Sequence, residues 1–137
     1  MTEDSFLIDA ELIHEQWRTD KSDYGDSRLE SIGKRSLELA YLRLVTLKVA
    51  NALKNYSENG DRLSSTTPIK EAQIVTTLLN EAESKWVLLK VNQSMDILID
   101  DSRQSALKLY QELCEVCDDL DYAIKETEYQ RNLILEP

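Results

Sequence analysis

LELAYLRLVTLKVANAL, residues 37–53, is the stretch on which the fold turns. Twelve of its seventeen residues are apolar, from Leu37 and Leu39 through Leu42, Leu44, Val45 and Val49 to Leu53. At about 100° per residue they cover most of a helix's circumference, whereas a helix lying on a core needs one apolar stripe. Glu38, Arg43, Lys48 and Asn51 interrupt the stretch too often for a membrane span, which needs about 18 residues nearly free of charge. The stretch is therefore expected to be a helix enclosed by several others, from its own chain or from a partner.

Working outward, Ser27-Arg28-Leu29-Glu30 matches a capping box, so the central helix is expected over 27–58. Asn59-Gly60-Asp61 ends it, with Gly60 suited to the left-handed position beyond a C-cap. DRLSSTT (61–67) reads as a loop, and Thr67-Pro68 as the N-cap and first residue of the next helix. Beyond Pro68 there is no Gly or Pro before Pro137. Val75, Leu79, Ala82, Trp86 and Leu89 repeat at helical spacing, and Ala106, Tyr110, Leu113, Cys117, Leu120 and Ile124 do so again. The two rows differ in phase by three positions, and Asp100-Asp101-Ser102 supplies cap residues, so 67–131 is expected to be a helical hairpin broken there. Upstream, Ile8 to Arg18 reads as a short helix carrying Leu12, Ile13 and Trp17, followed by the polar link TDKSDYGDS, so that 1–26 form a helix and linker. The expected fold is a single all-α domain of 137 residues, a bundle of one short and three long helices.

The net charge of −10 is unevenly spread. Residues 1–30 hold nine acids and three bases, residues 31–70 three and seven, and residues 71–137 fourteen and six. An acidic surplus disfavours nucleic acid and anionic membranes unless the bases are segregated, and it suits a protein partner with a basic face. The start of the chain lacks the basic head and apolar run of a signal peptide, and the expected compartment is the cytoplasm.

Motifs for chemistry are sparse. Cys114-Glu-Val-Cys117 is a lone pair, without the second pair a structural zinc site needs, and its cysteines read as small core residues. His14 is the only histidine, which leaves no triad. Glu112, Glu115 and Asp118, with Asp96 and Asp100, resemble in outline the magnesium-holding acids of all-α nucleotide pyrophosphohydrolases. The alternative reading is a solvated acidic face. No catalytic residue, metal ligand or cofactor is assigned. The surplus apolar surface of the central helix points to an oligomer that acts by binding, with Leu42, Leu44, Val45, Val49 and Tyr56 as the expected seam. Aspartate at Leu44 or Val45 is expected to break that assembly.

Leu7-Ile8-Asp9, Trp17 with Asp20, Leu39-x-Tyr41, Tyr56-Ser57 ahead of Gly60-Asp61, and Tyr122-Ala123-Ile124-Lys125 follow one another in an order that resembles the phage recombination-mediator family typified by UvsY. That resemblance implies an all-helical, ring-forming protein that helps load a recombinase onto single-stranded DNA. On it, Arg43, Lys48 and Lys54 of the central helix become the candidate phosphate contacts.

Overall fold

The computed structural model describes residues 27–79 and 82–135. Among them stand four helices and no strand: α1 (Ser27–Asn59), α2 (Arg62–Leu78), α3 (Ala82–Asp100) and α4 (Arg103–Leu135). The short helix expected over 8–18, and the side chain of Ser27 that would complete the capping box, lie outside the described residues.

α1 and α4, of 33 residues each, are about 50 Å long and run antiparallel. Arg43 meets Asp121 near the middle, and Lys54 sits over the Tyr110 ring, 5.7 Å from its centroid. At one end Arg103 donates to the carbonyls of Ser57 and Glu58 (2.9 and 2.6 Å), satisfying orphan acceptors at the last turn of α1. At the other, Arg28, Ser31 and Ile32 flank a groove of about 570 Å³ with Gln130, Leu133 and Ile134. α2 descends along α1, tied by Ser65 Oγ to the Ala52 carbonyl (3.0 Å) and by Lys48 to Glu71 (3.6 Å). α3 returns beside it, fixed at its start by Arg35 to Glu83 (2.9 Å), a hydrogen bond that holds the Glu83 carboxyl below its ordinary value. The result is an up-down-up-down bundle with α1 touching every other helix.

The core explains why α1 is apolar nearly all round. Leu39, Leu42, Val45, Val49, Leu53 and Tyr56 are buried with Ile69 and Ala72 of α2, Val87 and Val91 of α3, and Leu109, Leu113 and Leu120 of α4. Neighbours on several sides are needed to cover that circumference, and the chain supplies them itself.

Two turns follow the sequence. Gly60 has φ +72° and donates to the Tyr56 carbonyl at 2.7 Å. Asp101, at φ +55°, closes α3 with bonds from its own amide to Leu98 and from Ser102 to Ile97, the double closure of a Schellman turn. Ser102 then caps α4 by accepting from the Ser105 amide. Asp101 also accepts a short hydrogen bond from the Tyr56 hydroxyl, which locks the C-terminal turn of α1 to the α3–α4 corner.

Two boundaries depart from the sequence reading. Of the expected loop at 61–67, residues 62–67 are helical, because Asp61 caps the Ser64 amide (3.2 Å) and Arg62 and Ser65 reach the carbonyls of Leu98 and Ala52. Pro68 therefore lies inside α2 rather than at its first turn. The expected hairpin over 67–131 contains a second break: α2 stops at Leu78, with Leu79 extended (φ −94°, ψ 145°), and α3 begins at Ala82. Restarting the helix resets its phase, so the buried row of α3 is Ser84, Val87, Val91, Ser94 and Leu98, and Trp86 and Leu89 turn outward.

Burial, and next the bond to Asp101, push the Tyr56 hydroxyl above its ordinary value of 10.0. The folded chain thus prefers the neutral phenol. That contribution is complete below about pH 10, where the unfolded chain is protonated too, and is lost as pH rises through the folded value. Tyr56→Phe is expected to flatten the alkaline fall in stability above about pH 10 and to cost about 1–2 kcal/mol at neutral pH. Chemical denaturation across pH checks both; an alkaline limb identical to the wild type would rule out the Asp101 contact.

Candidate interaction surfaces

The residues expected to form an intermolecular seam lie mostly inside the chain. Leu42, Val45, Val49 and Tyr56 are fully buried against α2, α3 and α4, and Leu44 packs half-buried at the margin of the same core. Their burial needs no second copy.

The three candidate phosphate contacts are also engaged within the bundle, on two sides of α1. Arg43 faces Asp121 of α4 at 3.8 Å, an ion-pair distance beyond hydrogen-bond range. Lys48 reaches Glu71 of α2, and Lys54 covers Tyr110 of α4. They form no single row along which a nucleic-acid backbone could run.

The acids considered for magnesium are not gathered either. Among the described residues no three His, Cys, Asp or Glu side chains converge on a metal-sized space. Glu112 is drawn to Lys90 at 3.5 Å, while Glu115, Asp118, Asp96 and Asp100 are exposed. Cys117 is buried and Cys114 half-buried, and both are free thiols. Burial pushes the Cys117 thiol up to about 11, which suits a small core residue and not a nucleophile. No helix among the described residues is long and apolar enough to cross a membrane.

Among the described residues, the outward faces of α2 and α4 are left without cover. On α2, Leu63 (87% exposed), Ile74 (63%) and Leu78 (76%) point away from the buried row of Ser65, Ile69, Ala72 and Thr76. At about 100° per residue these three lie within roughly 60° of one another, with Thr67 and Lys70 between them. α2 carries Arg62, Lys70 and Glu71 as its only charged residues, so this face is apolar and close to neutral. On α4, Glu115, Asp118, Tyr122, Glu126, Tyr129 and Leu133 are all exposed, opposite the buried row of Leu113, Val116, Cys117 and Leu120. That face is acidic and aromatic.

Sequence reasoning missed the α2 face and misplaced the buried row of α3, for different reasons. The α2 row was hidden because its first member, Leu63, was read as loop. The α3 row was misplaced because Trp86 and Leu89 are more apolar than the residues that are buried. Ser84 and Ser94 enter the core by returning their hydroxyls to the carbonyls of Leu79 and Lys90. Serines in a 3–4 spacing with Val87, Val91 and Leu98 were the available signal. Comparison of the chain with protein-family models, curated proteins and solved structures finds no match to any of them.

Proposed function

We propose that this protein is a non-catalytic interaction protein that self-associates through the outward face of α2 and binds a partner protein of basic character. The observation that carries the reading is the row Leu63, Ile74 and Leu78, each more than half exposed among the described residues, whose four helices already share one core. An apolar row of this kind on a bundle surface is costly in water and is relieved by a facing helix. A second copy suits it, because the one charge within the row, Lys70, sits on a long side chain that can carry its ammonium out to water past a facing helix. An antiparallel pairing of two α2 helices sets Leu63 of one copy against Leu78 of the other, the self-complementary arrangement of a twofold dimer. A single helix row buries a small area, so the dimer is expected to dissociate on dilution. The net charge of −10 supports the basic character of other partners.

Light scattering over a concentration series tests this. The wild type is expected to exceed its monomer mass at high concentration, and Ile74→Asp to remain at it with an unchanged circular dichroism spectrum. A wild type that is monomeric throughout, or a variant that assembles like it, rejects the reading. A mass shift on adding a single-stranded oligonucleotide would turn attention to the recombination-mediator family instead.

A further inference from the structure

The outward face of α4 is a different kind of surface. Glu115, Asp118, Tyr122, Glu126, Tyr129 and Leu133 follow one another at spacings of three and four, which keeps them on one side of the helix. The row spans about 27 Å at 1.5 Å per residue. Tyr122 is 73% exposed, Tyr129 63% and Leu133 53%. Between Glu112 and Glu128 stand seven acids and one base, Lys125, which is paired with Asp121 at 3.1 Å. Acids are thus interleaved with aromatic rings, and the one base beside the row, Lys125, is drawn to Asp121.

We infer that this face docks a basic, arginine-bearing helical segment of another protein, guanidinium groups lying over Tyr122 and Tyr129 and bonding to Glu115, Asp118 and Glu126. Charge selects this occupant. A second copy of α4 would set acids against acids across the axis. Residues 1–26 of the same chain hold eight acids and two bases and would be repelled likewise. A guanidinium plane matches both features at once, because it stacks on a tyrosine face while its edge donates to a carboxylate. Leu133 gives the segment an apolar anchor at the end of the row, in the manner of helix recognition through residues three and four apart. The inference rests on the reading of the protein as a binding module and is independent of self-association through α2.

The probe is a fluorescein-labelled amphipathic peptide of about 18 residues, arginine and leucine at helical spacing, titrated into the full chain by fluorescence anisotropy. Binding is expected to weaken as salt rises. It is expected to fall about tenfold or more in Tyr122→Ser with Tyr129→Ser, and again in Glu115→Gln, Asp118→Asn and Glu126→Gln together. All these positions are exposed, so the variants keep the core; Ile74→Asp serves as the control and should bind the peptide as the wild type does. No binding, or binding that the tyrosine pair leaves unchanged, overturns the inference, the second outcome reducing it to general attraction to an acidic protein. Either failure beside an assembly that Ile74→Asp still breaks would leave the self-association reading standing.

Discussion

Val45→Asp is expected to unfold this protein rather than to divide an assembly of folded subunits. Val45 is 1% exposed, enclosed in the cluster that joins α1 to the other three helices. A carboxylate placed there loses its hydration and meets no cation in exchange, which costs several kcal/mol even after relaxation. The whole stability of a domain of this size is about 5–15 kcal/mol, and the lost valine packing adds a further penalty. The expected result is disappearance of the cooperative thermal transition and most of the helical circular dichroism signal. Leu44→Asp, at the margin of the core, should be far milder. A Val45→Asp protein that stays helical, melts cooperatively and merely changes mass would show that α1 is covered by another copy and not by its own chain.

The second large effect runs in the opposite direction. Pro68 lies six residues inside α2, where it has no amide to give the Ser64 carbonyl and its ring crowds that carbonyl. A proline in a helix interior is about 3 kcal/mol worse than alanine. Part of that is offset, because proline also restricts the unfolded chain by about 0.4–1 kcal/mol. Pro68→Ala is therefore expected to stabilise the fold by about 2–2.5 kcal/mol and to raise Tm by several degrees, read by differential scanning calorimetry. At the first turn of a helix the same substitution would gain nothing, since proline is favoured there. An unchanged or lowered Tm would accordingly mean that α2 begins at Pro68.

These two substitutions separate what the residues announce locally from what they do not. The buried character of α1 was legible because apolar residues around its whole circumference leave no other soluble solution. Gly60 and the Asp100-Asp101-Ser102 corner were legible because a left-handed residue and cap side chains act within four or five positions. The start of α2 was not legible: the turns ahead of Pro68 are held by Arg62 on the Leu98 carbonyl and Ser65 on the Ala52 carbonyl, 36 and 13 residues away. Local signals favoured a loop there, and contacts across the bundle outweighed the proline.

The candidate surfaces divide in the same way. The composition of α4 marked an acidic helix, and the position of its tyrosines relative to Leu113 and Leu120 followed from helical spacing. That Leu63, Ile74 and Leu78 form an outward row followed only once α2 was placed, because a helix shows where its stripes lie but not which stripe meets the core.

By itself, then, the sequence determined an all-helical chain with an enclosed central helix, two of its corners, and a net acidic charge carried by residues 1–30 and 71–137 on either side of a basic middle. The tertiary structure alone decided that α1 is enclosed by its own chain, that the helix after Leu78 restarts in a new phase, and that Arg43, Lys48 and Lys54 are spent on internal contacts. The reason is physical. Periodicity and capping act over a few residues, whereas which helix covers which face depends on how the whole chain closes, and that is settled by contacts between residues far apart along it.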